Sequence, residues 1–131
     1  MTRVNLVPPS ELSRQHLVAE YRELPRIFSL VRVAAIRGEK PEDMPQKFTL
    51  GTGHVRFFYP RVNWLCQRFY ALVCEMNERG YNPSHPIAYT NLIPDEWLGD
   101  YEPTPEDIAL SRARLVERDP HFYKMEGVGD G

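Results

Sequence analysis

The sequence predicts an all-α protein, a compact single domain of three helices joined by long ordered loops. Two stretches carry an apolar side chain at every third or fourth position, the spacing that lines one face of a helix. A threonine followed directly by a proline marks the start of a third helix. A length of 131 residues fits one domain, so the whole chain, residues 1–131, is expected to fold as a unit.

The first predicted helix begins near Ser10 or Ser13 and ends at Gly38. Pro25 lies inside it and has no backbone N–H to donate, which predicts a bend or an open carbonyl near Tyr21. The apolar stripe of this helix consists of Leu17, Tyr21, Leu24, Phe28, Val31 and Ala35.

The second and third predicted helices have clearer ends. The second runs over residues 61–79 with the most regular apolar spacing of the chain, and Gly80 ends it. The third begins with Thr104 as its N-cap and Pro105 in its first turn. It ends before residue 119, which is followed by a proline.

Two connections, residues 38–60 and 81–103, are rich in proline and yet contain many aromatic side chains, which predicts loops that pack on the helices. Residues 57–59 could form a short strand, but without a partner strand no sheet is predicted. The last residues, about 125–131, are rich in glycine and are expected to fray. The apolar and aromatic loop residues are Phe48, Phe57, Phe58, Tyr59, Tyr81, Tyr89, Ile93, Trp97 and Tyr101.

Charge is distributed unevenly along the chain, although the net charge is only −2. The Lys, Arg, Asp and Glu charges sum to +3 over residues 1–40, +1 over residues 41–80 and −6 over residues 81–131. Residues 95–107, the acidic segment, contain six acidic side chains and no basic one, so a polyanion would be repelled there. Any nucleic-acid surface should therefore exclude the acidic segment.

The sequence predicts a cytoplasmic protein that is neither secreted nor inserted in a membrane. No stretch approaches the roughly 18 apolar residues of a membrane helix, and the first residues lack the pattern of a signal peptide. The two cysteines, Cys66 and Cys74, fall in one predicted helix, about 12 Å apart and beyond disulfide reach. They are expected to be buried free thiols.

The patterns for metal binding and for phosphate loops are weak. The four histidines are scattered, with no spacing typical of zinc ligands. His16 and Glu20 lie one helical turn apart and could share a metal, but no third ligand follows in register. Residues 51–54 resemble a glycine-rich phosphate loop only superficially, because no helix is predicted to follow them directly, and a tight turn is expected.

The polar face of the first predicted helix concentrates groups that bind anions or transfer protons. It carries Gln15, His16, Arg22, Glu23 and Arg26. Arg22 and Arg26 lie one helical turn apart. Such rows are usually solvated faces, in which an arginine would neutralise Glu23. By themselves these residues leave the function open.

Several segments give the chain a specific resemblance to a known family. Residues 2–6 read Thr-Arg-Val-Asn-Leu, and residues 19–26 read Ala-Glu-Tyr-Arg-Glu-Leu-Pro-Arg. Further matching segments are residues 10–12, 15–17, 50–55, 57–59, 99–101, 113–115 and 120–124. These segments occur in the same order as in the pyrimidine-dimer DNA glycosylases of the phage endonuclease V type, so the chain resembles that family over nearly its whole length. The fold of that family, a compact three-helix protein with long loops, agrees with the predicted helices.

The resemblance implies a bifunctional enzyme that needs no metal or cofactor. Members cleave the glycosidic bond of a UV-induced cyclobutane pyrimidine dimer in DNA and then break the strand at the abasic site by β-elimination. The nucleophile would be the α-amine of Thr2 after removal of Met1, and Glu23 would stabilise the cationic intermediate and act as a base. An α-amine has an ordinary pKa of about 8, which leaves a useful neutral fraction at neutral pH.

The resemblance also implies a double-stranded DNA partner that contains a pyrimidine dimer or an abasic site. A monomer would bind it in the cytoplasm of a bacterial or phage-infected cell. Arg3, Arg22 and Arg26 would bind phosphates that flank the lesion, since guanidinium groups match phosphate oxygens. Arg118 stands where family members have a lysine, and the tail after Lys124 is short, rich in glycine and acidic. The other implied DNA-binding residues are Gln15, His16, Arg114, Arg118, Phe122, Tyr123 and Lys124.

Two alternatives stay open. Because the tail departs from the family pattern, the substrate could be another lesion or abasic sites only. The chain could also be a helical DNA-binding protein without activity, which would bind DNA in a salt-dependent manner and cut none. The presence of both Thr2 and Glu23 argues against this second alternative.

Overall fold

The computed structural model describes residues 3–84, 90 and 92–118. Within these ranges the chain forms five α-helices and no β-strand, apart from one isolated antiparallel bridge between Arg61 and Leu98. The predicted all-α class is confirmed. The helices are α1 (Arg14–Glu23), α2 (Pro25–Ile36), α3 (His54–Phe57), α4 (Val62–Glu78) and α5 (Pro105–Arg118).

The first predicted helix is divided into α1 and α2 at Leu24. Ser13 caps α1, and its hydroxyl oxygen accepts a hydrogen bond from the backbone N–H of His16 at 3.2 Å. Leu24 keeps a helical backbone, and its N–H still donates to the Glu20 carbonyl at 2.9 Å. Pro25 has no N–H for the next bond of the ladder, so the chain restarts a helix with this proline in its first turn.

The helices α4 and α5 lie where the sequence predicts them. α4 begins directly after Arg61, and α5 begins after Thr104, whose hydroxyl oxygen accepts a hydrogen bond from the Asp107 N–H at 3.0 Å. The suggestion of a short strand at residues 57–59 was wrong. The expectation that no helix directly follows the turn at residues 51–54 was also wrong. The short helix α3 begins there, after Gly53 turns the chain with a φ of 89°, and it carries Phe57 into the interior.

The core forms around α4, which packs against α1. Tyr21 of α1 stacks on Phe69 of α4 with ring centroids 5.6 Å apart. The proline-rich loops add a second aromatic group, in which Phe48 contacts Phe57 and Phe58 edge-on. The predicted packing of the loops is confirmed for the described residues; Tyr89 and the tail at 125–131 lie outside them. The fully buried large side chains are Trp97, Phe28, Phe57, Phe58, Phe69, Leu12, Leu17, Leu24, Ile27, Leu65 and Leu72.

The loop before α5 is fixed to the start of α4 by Gly99. The Gly99 N–H donates to the Pro60 carbonyl at 3.1 Å, and the Gly99 carbonyl accepts from the Asn63 N–H at 3.1 Å. A Cβ atom at position 99 would lie 2.3 Å from the Pro60 oxygen. Only glycine allows the two backbones to approach so closely.

Both cysteines are free thiols, but the expectation that both are buried was wrong. Cys66 is partly buried, whereas Cys74 lies on the exposed side of α4 near Tyr70. Among the described residues, no helix is both long and apolar enough to cross a membrane.

A buried ion pair joins α1 to α4. Glu20 and Arg68 are only 2% and 7% exposed, and the Arg68 Nε donates to Glu20 Oε2 at 2.7 Å. The Arg68 Nη2 and the Asn5 Nδ2 both donate to the other carboxylate oxygen, at 3.0 and 2.9 Å. Arg68 also donates to the Val7 carbonyl. The network therefore fastens the N-terminal segment, residues 3–7, across both helices.

Replacing Arg68 with alanine should lower the free energy of unfolding by about 3–5 kcal/mol, because it leaves the Glu20 carboxylate buried without its cation. Arg56→Ala is the matched control, since Arg56 pairs with Glu39 at the surface, where ion pairs contribute at most about 1 kcal/mol. Urea unfolding of both variants measures the difference. Equal losses for the two variants would contradict this account of the buried pair.

Candidate functional site

A cavity of about 280 Å³ opens between the N-terminal segment, α1 and α5. Six of the catalytic and DNA-binding residues that the resemblance implies meet around it, although they come from positions as far apart as 3 and 118. It is lined by Arg3, Asn5, Gln15, His16, Ala19, Glu20, Glu23, Arg114, Leu115 and Arg118.

Helix geometry explains how α1 supplies one wall of this cavity. Gln15, Ala19 and Glu23 follow each other at intervals of four residues, so they lie on one face. Leu17 and Tyr21 point to the opposite side and are buried in the core. Ala19 is the smallest side chain of the wall and leaves room between its two polar neighbours.

The other wall is strongly cationic. Arg114 and Arg118 lie one turn apart on α5 and line the cavity together with Arg3. Burial lowers the pKa of Arg3, and the positive charges of Arg114 and Arg118 lower it further, yet a guanidinium remains charged at neutral pH. Three cations held this close repel one another, so an anion that binds between them relieves that repulsion.

One buried nitrogen in this wall lacks a hydrogen-bond partner among the described residues. The Arg114 Nε is buried and has no hydrogen-bond acceptor within the ranges that the structure describes. A buried donor without an acceptor is costly, so the position favours a ligand that brings oxygen atoms. Phosphate groups suit such guanidinium donors in both charge and geometry.

Glu23 is the carboxylate of the site that can reach a ligand. It ends α1, its side chain is 26% exposed, and its Oε1 lies 3.0 Å from the Arg26 Nη1. Because Arg26 is 68% exposed, this ion pair contributes little, and Glu23 can exchange it for a substrate cation at small cost. Glu20 lines the same cavity, but Arg68 and Asn5 occupy both of its oxygens. Glu20 is therefore structural, which also removes the hypothesis of a metal shared with His16.

Other predicted site residues lie outside the cavity. Arg22 is exposed and lines a neighbouring depression with Arg14 and Gln15. Arg26 touches the cavity only through its ion pair with Glu23. Thr2, Phe122, Tyr123 and Lys124 lie outside the described residues.

The acidic segment stays away from the cavity, as the charge distribution predicts. None of its residues, all of which the structure describes, is among the cavity-lining residues. Asp107 instead accepts a hydrogen bond from the Tyr101 hydroxyl at 2.6 Å. A polyanion at the cavity would therefore meet arginines and not this segment.

Three contributors to the site were missed by the sequence analysis: Asn5, His54 and Ser111. The Val4 N–H donates to the His54 Nε2 at 3.0 Å, and the Leu6 N–H donates to the Ser111 Oγ at 3.0 Å. These pairs are 50 and 105 positions apart, a separation that local periodicity does not reveal. The alternation of polar and apolar residues at positions 3 to 6 was the signal that could have identified an extended segment with one face toward a site.

One comparison with known proteins bears on this site. A family model described as pyrimidine dimer DNA glycosylase matches residues 1–89. The matched span includes the N-terminal segment, Glu23, His54 and the helices α1 to α4, and it ends before α5.

Proposed function

Because the chain belongs to the pyrimidine dimer DNA glycosylase family, we propose that it removes cyclobutane dimers through an imine on the Thr2 α-amine and then cleaves the abasic strand. The observation that carries the proposal is the meeting of Glu23 with Arg3 in one cavity. The proposed nucleophile is the backbone amine of the residue that precedes Arg3 in the sequence.

DNA binding follows from the distribution of arginines. Arg3, Arg114 and Arg118 would hold a phosphate within the cavity, while Arg22 and Arg26 would contact the backbone outside it. Gln15 and His16 lie on the α1 wall, where they can donate to the same strand. One chain supplies all of these groups, so we expect the enzyme to act as a monomer.

The first step is displacement at the sugar. The neutral amine of Thr2 attacks C1′ of the damaged nucleotide, the C1′–N1 bond breaks, and its electron pair leaves with the base, which stays linked to its neighbour by the cyclobutane ring. The nitrogen then loses a proton, the sugar ring opens, and an imine forms between the amine and C1′. Glu23 stabilises the positive charge that develops at the sugar.

The second step is elimination from the imine. The iminium group acidifies the C2′ proton, Glu23 accepts that proton, and the C3′–O bond breaks with the phosphate as the leaving group. Water then hydrolyses the imine, which releases the cleaved strand and restores the amine. One nucleophile thereby serves both the glycosylase and the lyase reaction.

The proposal is tested by incision of two labelled duplexes, one with a single cyclobutane dimer and one with an abasic site. We expect the Met-processed protein to cut both. Cutting of abasic DNA alone would retain the lyase chemistry and place the substrate elsewhere, whereas salt-dependent binding without cutting of either duplex would indicate a non-catalytic DNA-binding protein.

Replacing Arg22 or Arg26 with alanine should weaken binding to damaged and undamaged duplexes alike, because both are exposed and the proposal assigns them to the phosphate backbone, which is the same in both duplexes. Each loss should reduce the slope of log K against log salt by about 1. Fluorescence anisotropy at several salt concentrations gives the binding constants from which this slope is determined. Lys47→Ala is the control, since Lys47 borders the acidic segment and should leave the slope unchanged; an equal effect of Lys47→Ala would contradict the proposed surface.

A further inference from the structure

The N-terminal segment is held in place by side chains from distant helices. Val4 and Leu6 are buried, and their N–H groups donate to His54 of α3 and to Ser111 of α5. Arg3 and Asn5 alternate with them and line the cavity. The hydrogen bond between Val4 and His54, the anchor, fixes the backbone directly after Arg3.

His54 can hold Val4 only as a neutral imidazole. Its Nδ1 lies 2.8 Å from the Thr49 carbonyl oxygen, which can only accept, so Nδ1 carries the proton. Its Nε2 then has a free lone pair, which accepts the Val4 N–H at 3.0 Å. The imidazolium form would carry protons on both nitrogens and would repel that N–H.

The surroundings of His54 keep the ring fixed and neutral. The residue is 2% exposed, and the rings of Phe48 and Phe58 contact it edge-on. Burial lowers the pKa of His54, and the charges of Arg3 and Arg114 act in the same direction. The Thr49 hydrogen bond and the Glu20 carboxylate oppose them without reversing the shift.

We propose that His54 is a positioning residue of the site: it fixes the backbone of Val4, and so it holds Arg3 at the cavity and positions the amine that the proposed reaction uses. The effect on the amine rests on the proposed function. The anchor itself does not, because it is a property of the folded chain alone.

Two variants separate the anchor, the hydrogen bond between His54 and Val4, from the hydrogen bond between His54 and Thr49. His54→Asn can keep the hydrogen bond to the Thr49 carbonyl, but its amide is too short to reach the Val4 N–H. His54→Gln is long enough to place an acceptor near the position of Nε2. The comparison is therefore between two amides of similar chemistry that differ in reach, and circular dichroism verifies that both fold.

The readouts are borohydride trapping on an abasic duplex, binding to a duplex with an uncleavable tetrahydrofuran site, and amide hydrogen exchange. We expect His54→Asn to slow trapping by about 10- to 100-fold, because misplacement of a reacting group by about 1 Å has effects of that size. Binding should change far less, and His54→Gln should recover most of the trapping rate. In His54→Asn the Val4 amide should exchange faster, whereas Ser111→Ala should release Leu6 instead.

The pH dependence gives a second test of the anchor. As pH falls below the ordinary histidine pKa of about 6.5, the unfolded chain gains a proton at His54 that the folded chain resists, so folding stability should fall. His54→Gln should lose this contribution, which is measured as the difference in unfolding free energy between wild type and variant from about pH 7.5 to 5.5.

Unchanged Val4 exchange in His54→Asn would overturn the anchor, and faster exchange with unchanged trapping would overturn positioning. Trapping by neither wild type nor variant would instead contradict the proposed function, while faster Val4 exchange would still establish the anchor.

Discussion

Glu23→Gln is expected to reduce dimer incision and abasic-strand cleavage by about 10²- to 10⁴-fold while leaving DNA binding nearly unchanged. Glutamine has the size of glutamate, but it carries no charge to stabilise the cationic sugar and cannot accept the C2′ proton. Because the Glu23–Arg26 ion pair is exposed, its loss should affect stability little. Single-turnover incision of both duplexes, with binding measured in parallel, separates the two effects.

Glu11→Gln is the matched control for this prediction. Glu11 also pairs with an arginine, Arg112, but it lies outside the cavity. Its replacement should therefore leave both reactions intact. Retention of most of the activity in Glu23→Gln, or an equal loss in Glu11→Gln, would remove Glu23 from the proposed chemistry.

Blocking the N-terminus is expected to have the largest effect, because it removes the nucleophile itself. A protein that retains Met1, or that carries extra residues before Thr2, has its free amine displaced by at least one Cα–Cα step of about 3.8 Å. Such a displacement exceeds the reach of a positioned reacting group, so imine trapping should fall to background. Intact mass establishes the N-terminus of each preparation before trapping is measured.

Thr2→Ala after Met1 removal is the informative companion variant. The proposed chemistry uses the backbone amine and not the threonine side chain, so this protein should trap at a rate close to that of wild type. Efficient trapping by the blocked protein would contradict the assignment of the nucleophile, whatever the behaviour of Thr2→Ala.

The helices could be predicted because their signals are local. The apolar spacing of α4 and the cap of α5 act within a few residues, and Pro25 acts on the carbonyl one turn before it. The short helix α3 could not be predicted in this way, since it depends on the burial of Phe57 against Phe48 of the loop that precedes α3. The exposure of Cys74 likewise depends on which side of α4 the rest of the chain covers.

The site was predictable in part for the same reason. Glu23 and its α1 neighbours share one helix, so sequence spacing brings them together. Arg114 and Arg3 meet at the cavity only through the tertiary structure, and the family resemblance alone assigned both of them to DNA binding. The His54 anchor was missed because a lone histidine after a glycine turn carries no local sign of a partner 50 positions away.

The most direct test of the proposed nucleophile is borohydride trapping of the Met-processed protein on a dimer duplex and on an abasic duplex, followed by proteolysis and mass spectrometry. The account predicts a cross-link on the peptide that begins with Thr2, on both duplexes, and its loss when the N-terminus is blocked. A cross-link on a lysine side chain, or no cross-link on either duplex, would contradict it.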